Sequence, residues 1–270
     1  MKKILFTLLT ICLSAGAWAQ GHPSLLLTRQ GVEEIRAGRG TVPAFDRSLE
    51  ATLKGADKAL SLPLVVPQPK DGGGGYTHEQ HKLNYYQMFD CGVAWQMTGD
   101  ERYARYVVDM LLKYAELYPT LGFHPVQLSG TPGRIFWQTL NESVWLVHTS
   151  IAYDCVYDYL SDAERKRVEE NLFRPIADFI MNGMDGNTAN NKVFNKMHNH
   201  GTWATAAVGM IGMAMGDDDL VDRALYGSDK SGKRGGFIRQ LDYPFSPDGY
   251  FTEGAYYQRY AIWPFVVFAQ

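Results

Sequence analysis

The sequence predicts an all-α fold, an (α/α) toroid built from helical hairpins. Three observations lead there. Apolar residues recur at helical steps of three and four along most of the chain. No convincing series of alternating strands interrupts them. Tight turns at Gly99, Ser161 and Gly216 join helices in pairs, roughly evenly spaced, with longer loops between the pairs. No residue-level repeat accompanies that spacing, so the regularity is one of architecture.

Each element follows from its residues. Thr28 can cap a helix over Arg29–Ala37, and Val42–Leu60 reads as a second. Pro63–Gly75 is a loop, rich first in proline and then in glycine, and its stretch Gly72–Gly75 is a candidate lid over the groove. His78–Met97 and Glu101–Tyr118 form a pair, with Asp100 as the N-cap of the second helix. In that helix Tyr103, Tyr106, Val107, Met110, Leu111 and Tyr114 make one wide apolar stripe. Tyr118–Arg134 is a long loop holding three prolines and three glycines. Asn141–Leu160 and Ala163–Met184 form the next pair, and Ser161-Asp-Ala-Glu164 between them fits a capping box. Thr202–Met215 and Asp218–Tyr226 form a third pair. Gly227–Gly236 is a polar loop, and Glu253–Gln270 begins another helix. Long loops gathered at one end of such a toroid would frame a substrate groove.

The first nineteen residues read as an address. Met1-Lys-Lys is a basic start, Ile4–Leu13 an apolar stretch and Ala17-Trp-Ala19 a small-x-small cleavage signal. The stretch is too short to span a bilayer, and no later segment approaches a membrane span. Cys12 follows Ile11, where a lipoprotein signal wants a small residue. A secreted, periplasmic bacterial protein is expected. Residues 20–270 then form one toroid domain. It breaks off in the apolar run Phe265-Val-Val-Phe-Ala-Gln270 and is expected to be incomplete there.

Composition narrows the partners. The 270 residues are 46% apolar and 20% charged, with a net charge of −3, which becomes −5 without the two lysines of the leader. That balance carries no nucleic-acid footprint. Aromatics make up 13%, and Tyr plus Trp outnumber Phe by 22 to 13. Rings with a polar tip suit a core, and equally a groove that stacks on sugars. Cys91 and Cys155 remain after leader removal. A bridge is permitted in an oxidising compartment, and two buried thiols fit their helical surroundings as well.

The chemistry concentrates in two segments, Met197-His-Asn-His-Gly-Thr-Trp203 and Pro247-Asp-Gly-Tyr-Phe-Thr-Glu-Gly-Ala-Tyr-Tyr-Gln-Arg-Tyr260. Asn199 and His200 stand just before a helix of small residues, where unpaired backbone N–H groups converge. Alone, they read as an Asn N-cap and a structural His. Tyr256, Tyr257 and Tyr260 share a helix side with Arg259, and alone they read as core. Together they fit β-elimination on a uronic acid polymer. An amide or guanidinium neutralises the carboxylate, a Tyr or His removes the neighbouring carbon-bound proton, and Tyr returns one to the leaving oxygen. The scheme needs no metal or cofactor.

These segments, with Gly74-Gly-Tyr-Thr-His-Glu-Gln-His-Lys-Leu-Asn84, resemble the heparinase II/III-like polysaccharide lyases, and within them most closely the alginate and oligoalginate lyases. The likeness runs from His22 to Gln270. It implies an α/α toroid followed by antiparallel β-sheet domains and an acidic polysaccharide or oligosaccharide substrate. It makes Asn199 the carboxylate neutraliser, His200 a base or its partner, and Tyr257 the catalytic acid and a candidate base. Tyr256 competes with Tyr257 for that role. Arg259 and Tyr260 would line subsites with Tyr256. Gly133-Arg134-Ile-Phe-Trp-Gln138 resembles a substrate-binding stretch, with Arg134 and Gln138 reaching uronate groups and Trp137 in the groove.

Other readings stand beside this one. His78-Glu-Gln-His81 suggests zinc, but its histidines are three apart where the protease motif needs four. Gly227-Ser-Asp-Lys-Ser-Gly-Lys-Arg234 nearly matches a phosphate loop, yet lacks the final Ser/Thr and follows a helix. Asp248 and Glu253 could serve a toroid hydrolase as paired carboxylates. A non-catalytic glycan-binding protein is the third possibility.

Overall fold

A computed structural model describes residues 21–183 and 193–270. Its helices are α1 (Arg29–Ala37), α2 (Pro43–Leu60), α3 (Tyr76–Thr98), α4 (Glu101–Leu117), α5 (Thr139–Val156), α6 (Asp162–Val168), α7 (Arg174–Asn182), α8 (Asn199–Met215), α9 (Asp218–Tyr226), α10 (Phe237–Asp242) and α11 (Ala255–Ala269). Among the described residues the only β pairing is the single bridge Phe245–Phe251.

The helices form two layers. α3, α5, α8 and α11 pack side by side in chain order, while α2, α4, α7 and α9 pack against them from outside. The sequences explain the division. In α5 every residue but Leu140 and Asn141 is buried, and in α8 every residue but His200, Met213 and Met215. Helices apolar all round belong in the middle of a core. α4 instead buries the predicted stripe and turns Glu101, Arg102, Asp109, Lys113 and Glu116 to solvent. α8 is rich in Ala and Gly, and Phe268 of α11 lies against Gly209, where any Cβ would strike its ring. This is the (α/α) toroid architecture the periodicity predicts.

The caps are largely those predicted. Thr28 Oγ1 accepts from Gly31 N at 3.0 Å. Asp100 Oδ1 accepts from Arg102 N at 3.0 Å. Ser161 and Glu164 close the capping box, and Asp217 caps α9. Gly99 and Gly216 end α3 and α8 in the left-handed region, at φ 72° and 64°.

Four elements differ from expectation. The predicted single helix over Ala163–Met184 is broken: Pro175 has no N–H for the carbonyl of Asn171, and the ladder widens across Glu169–Phe173 between α6 and α7. The helix predicted to run to Leu160 tightens into a 3₁₀ turn at Tyr157–Tyr159. α10 is too short for periodicity to reveal. α8 begins three residues earlier than predicted, which changes the setting of Asn199 and His200. Cys91 and Cys155 are both free and buried, in α3 and α5. Burial pushes the Cys91 thiol up to about 12.

The stretch after residue 20 is strapped to the inner ring. The buried carboxylate of Asp154 on α5 accepts from the backbone N–H of Ser24 and Leu25, both at 2.8 Å, and from His22 Nδ1 at 2.6 Å. The predicted leader, Met1–Ala19, lies outside the described residues.

Candidate active site

The start of α8 is the first wall. His198, rather than Asn199, is the N-cap: its Nδ1 accepts from His200 N at 3.1 Å. That bond places the ring proton on Nε2. Asn199 and His200 therefore belong to the first helical turn. An extended residue at 198 suffices to start the helix, so the Asn N-cap reading is replaced. Gly201 is required here by contact: a Cβ would lie 1.8 Å from the carbonyl oxygen of Lys196. Only glycine lets the chain leading into the motif fold back so closely.

Asn199 is 3% exposed. Its backbone N–H donates to Glu253 Oε2 at 2.5 Å, and its Nδ2 donates to Oε1 at 2.9 Å and Oε2 at 3.0 Å. One carboxylate thus holds the whole donor set of Asn199 at a helix start, where the backbone field favours an anion. His200 is half-buried, and its ring centroid stands 5.0 Å from that of His198. Desolvation holds both histidines below their ordinary range, and for His200 the neighbouring His198 adds to it. A neutral imidazole near pH 7 can accept a proton.

The second wall is α11 and its approach. Gly254 precedes the helix, and the Asn199–Glu253 bonds pin this approach to α8, joining the two halves that the sequence sets fifty residues apart. The tyrosines divide. Tyr256 and Tyr257 are 75% and 43% exposed, with ring centroids 5.4 Å apart. Arg259 lies over the Tyr256 ring at 5.7 Å. Tyr260 turns inward onto Trp203, centroids 5.1 Å apart, and burial pushes its hydroxyl up to about 12. Tyr257 is therefore free to meet a ligand, whereas Tyr260 belongs to an aromatic floor.

That floor was not read from the sequence. Its centre is His148 of α5, whose ring lies 5.1 Å from Trp263, 4.7 Å from Tyr85 and 5.4 Å from Tyr86. His148 Nδ1 donates to Val144 O at 2.8 Å, and burial lowers the ring to about 4. The only sequence signal is one histidine within a largely buried helix. Glu253 as the partner of Asn199 was missed too; its place before a glycine and a helix marked a turn, not a contact.

Arg134 donates from Nη2 to Tyr118 O at 2.9 Å and from both Nη2 and Nε to Leu121 O, and it stacks over Tyr118 at 4.1 Å. Its backbone N–H and that of Ile135 are held by the buried carboxylate of Glu142. Arg134 ties the loop together through Nε and Nη2, and its side chain is half-buried. Trp137 is half-buried, its indole nitrogen beside Gly73 of the glycine-rich loop, and half-buried Gln138 stands at the start of α5.

The rival motifs are also engaged. His81 is fully buried and meets Tyr114 OH at 2.7 Å, and His78 and His81 both set their rings against Phe136. Asp248 is bonded by Ser246 Oγ within its own turn, and Glu253 is bonded by Asn199. Asp248 and Glu253 thus have separate protein partners. No helix among the described residues is long and apolar enough to cross a membrane.

The family described as alginate lyase matches residues 55–270. The chain is 47% identical over 263 residues to an exo-oligoalginate lyase of Saccharophagus degradans, covering 97% of this chain and 35% of that protein. It is 50% identical over 259 residues to an alginate lyase of Stenotrophomonas maltophilia, covering 95% and 33%. The chain thus spans about a third of the length of these curated relatives. The fold is shared with the crystal structure of an alginate lyase from Bacteroides ovatus, at TM-score 0.62 and 12% identity over 92% of this chain and 76% of that one. It is shared also with alginate lyase A1-III of Sphingomonas species A1, at TM-score 0.58 and 18% identity over 92% and 72%. With its toroid and with a family match across most of its length, this chain belongs to the alginate lyase family.

Proposed function

We propose that the protein is an exported polysaccharide lyase that cleaves uronate polymers by β-elimination, with alginate the first substrate to test, and that its finer kinship is to the heparinase II/III-like lyases. The observation that carries this reading is the Asn199 niche. Its backbone and amide donors at the start of α8 already hold a carboxylate, that of Glu253. A uronate carboxylate seated on the same donors would have its charge neutralised, which stabilises the enolate-like state formed when the C5 proton leaves.

The steps then balance within the chain's own residues. His200 or Tyr257 takes the C5 proton, the C5–H electrons form the C4–C5 double bond, and the C4–O bond breaks. Tyr257 returns a proton to the leaving oxygen. Neutral His200 and exposed Tyr257 suit these roles. Arg259 and Tyr256 supply charge and a ring face to neighbouring sugars above the floor that includes Tyr260, with Trp137 and Gln138 on the loop side.

The full-length mature protein should be incubated with alginate, hyaluronan, heparan sulfate and glucuronan while ultraviolet absorbance of the unsaturated uronate is followed. Absorbance rising on alginate supports the reading. New reducing ends without absorbance would indicate a hydrolase, and retained binding without either signal a glycan-binding protein. Tyr257→Phe should abolish cleavage and Tyr256→Phe should spare it; the reverse would exchange their roles. Mass spectrometry of exported protein should find the chain beginning at Gln20.

A further inference from the structure

The position of Glu253 presents a difficulty for any ligand of Asn199. Asn199 is 3% exposed, and Glu253, an exposed residue, stands between its amide and solvent. All the donors of Asn199 end on the two oxygens of Glu253. No sugar can reach that amide while Glu253 remains in place. The surroundings permit Glu253 to leave. Its backbone flanks are fixed, Thr252 N donating to Pro244 O and Gly254 N to Phe251 O, both at 2.9 Å, so it leaves by turning its exposed side chain alone. No cation pairs with Glu253 among the described residues, so its contact with Asn199 is its anchor.

We propose that Glu253 is a latch: its carboxylate occupies the seat of the substrate carboxylate on Asn199, and only an anionic sugar displaces it. The chemistry is an exchange of like for like. Three hydrogen bonds to a carboxylate break and three to another carboxylate form, so the swap loses little for a uronate. A neutral sugar offers only hydroxyl oxygens to the same donors and meets the field of a charge it cannot replace. The latch would therefore select uronates before chemistry begins. It would also raise the apparent KM, because bound Glu253 taxes every binding event. This inference rests on the reading of Asn199 as the carboxylate seat.

The test compares wild type, Glu253→Ala and Glu253→Gln in the full-length protein. Steady-state kinetics on alginate should give Glu253→Ala a KM about tenfold lower, with kcat/KM rising in proportion, and Glu253→Gln a smaller shift the same way. Calorimetric binding of monomeric mannuronate, which requires no turnover, should tighten by a similar factor in Glu253→Ala. A fall in kcat at constant KM would make Glu253 a positioning residue for Asn199 and overturn the latch. Unchanged kinetics and binding in both variants would overturn it too. Melting curves accompany both variants: if neither folds, Glu253 is a structural tie and the latch is wrong. If wild type cleaves no uronate polymer, the lyase reading fails, and the mannuronate titration still decides the latch.

Discussion

Two clusters use the same residue types to opposite ends. In the first, Asn84 and His81 of α3 meet Tyr114 of α4: Asn84 Nδ2 donates to Tyr114 OH at 2.9 Å, and His81 Nδ1 lies 2.7 Å from it. All three are fully buried. In the second, Asn199 of α8, followed by His200, bonds Glu253 just ahead of the tyrosines of α11. There only Asn199 is fully buried, and Glu253 and Tyr257 stand in solvent. An amide, an imidazole and a phenol thus hold helices together in one place and offer exchangeable partners in the other. What separates them is whether the partner of the buried amide can leave.

The comparison breaks most readily on the amides. Asn199→Ala should lower cleavage of alginate by about a thousandfold, the scale of losing a donor aimed at developing charge. Asn84→Ala should leave turnover per folded molecule unchanged while lowering the melting temperature. Equal losses of turnover would erase the distinction. Next in size, Tyr114→Phe strips His81 and Asn84 of their shared hydroxyl and should cost about 1–3 kcal/mol in urea unfolding, with kcat intact.

Acid should sharpen the contrast further. Burial lowers His81 to about 3 in the fold, against its ordinary 6.5 when unfolded. The unfolded chain therefore binds the extra proton first. Stability from keeping His81 neutral is present in full above about 6.5 and drains as pH falls toward 3, by about 1.4 kcal/mol per pH unit. The stability gap between wild type and His81→Leu should narrow in wild type's disfavour over that window; a gap independent of pH would contradict it. The smallest effect belongs to the outer layer. Asp100→Ala removes an N-cap far along the chain from either motif and should cost about 1 kcal/mol with activity unaltered.

Much of this was legible in the sequence, and the reason is local. Thr28, Asp100, and Ser161 with Glu164 cap helices through bonds spanning two to three residues, which residue spacing reveals directly. The α4 stripe was legible because one face of a helix repeats. Arg134 was not, since its partners are backbone carbonyls of Tyr118 and Leu121, which carry no sequence signature. His148 and Glu253 act across long separations, on rings of α3 and α11 and on Asn199, and a single chain gives no sign of such pairings. Asn199 and His200 were found as a pair, but their place inside α8 depended on His198 turning its ring back to cap the helix.

The most direct measurement places a charge in the carboxylate seat. Formation of the C4–C5 unsaturated product from alginate should be followed for wild type, Asn199→Ala and Asn199→Asp, with folding of each checked by melting. An aspartate there would repel both Glu253 and a uronate carboxylate. Wild type should form product rapidly, Asn199→Ala at a residual rate and Asn199→Asp at a still lower one. A folded Asn199→Asp variant that cleaves at the wild-type rate would show that no substrate carboxylate rests on this residue.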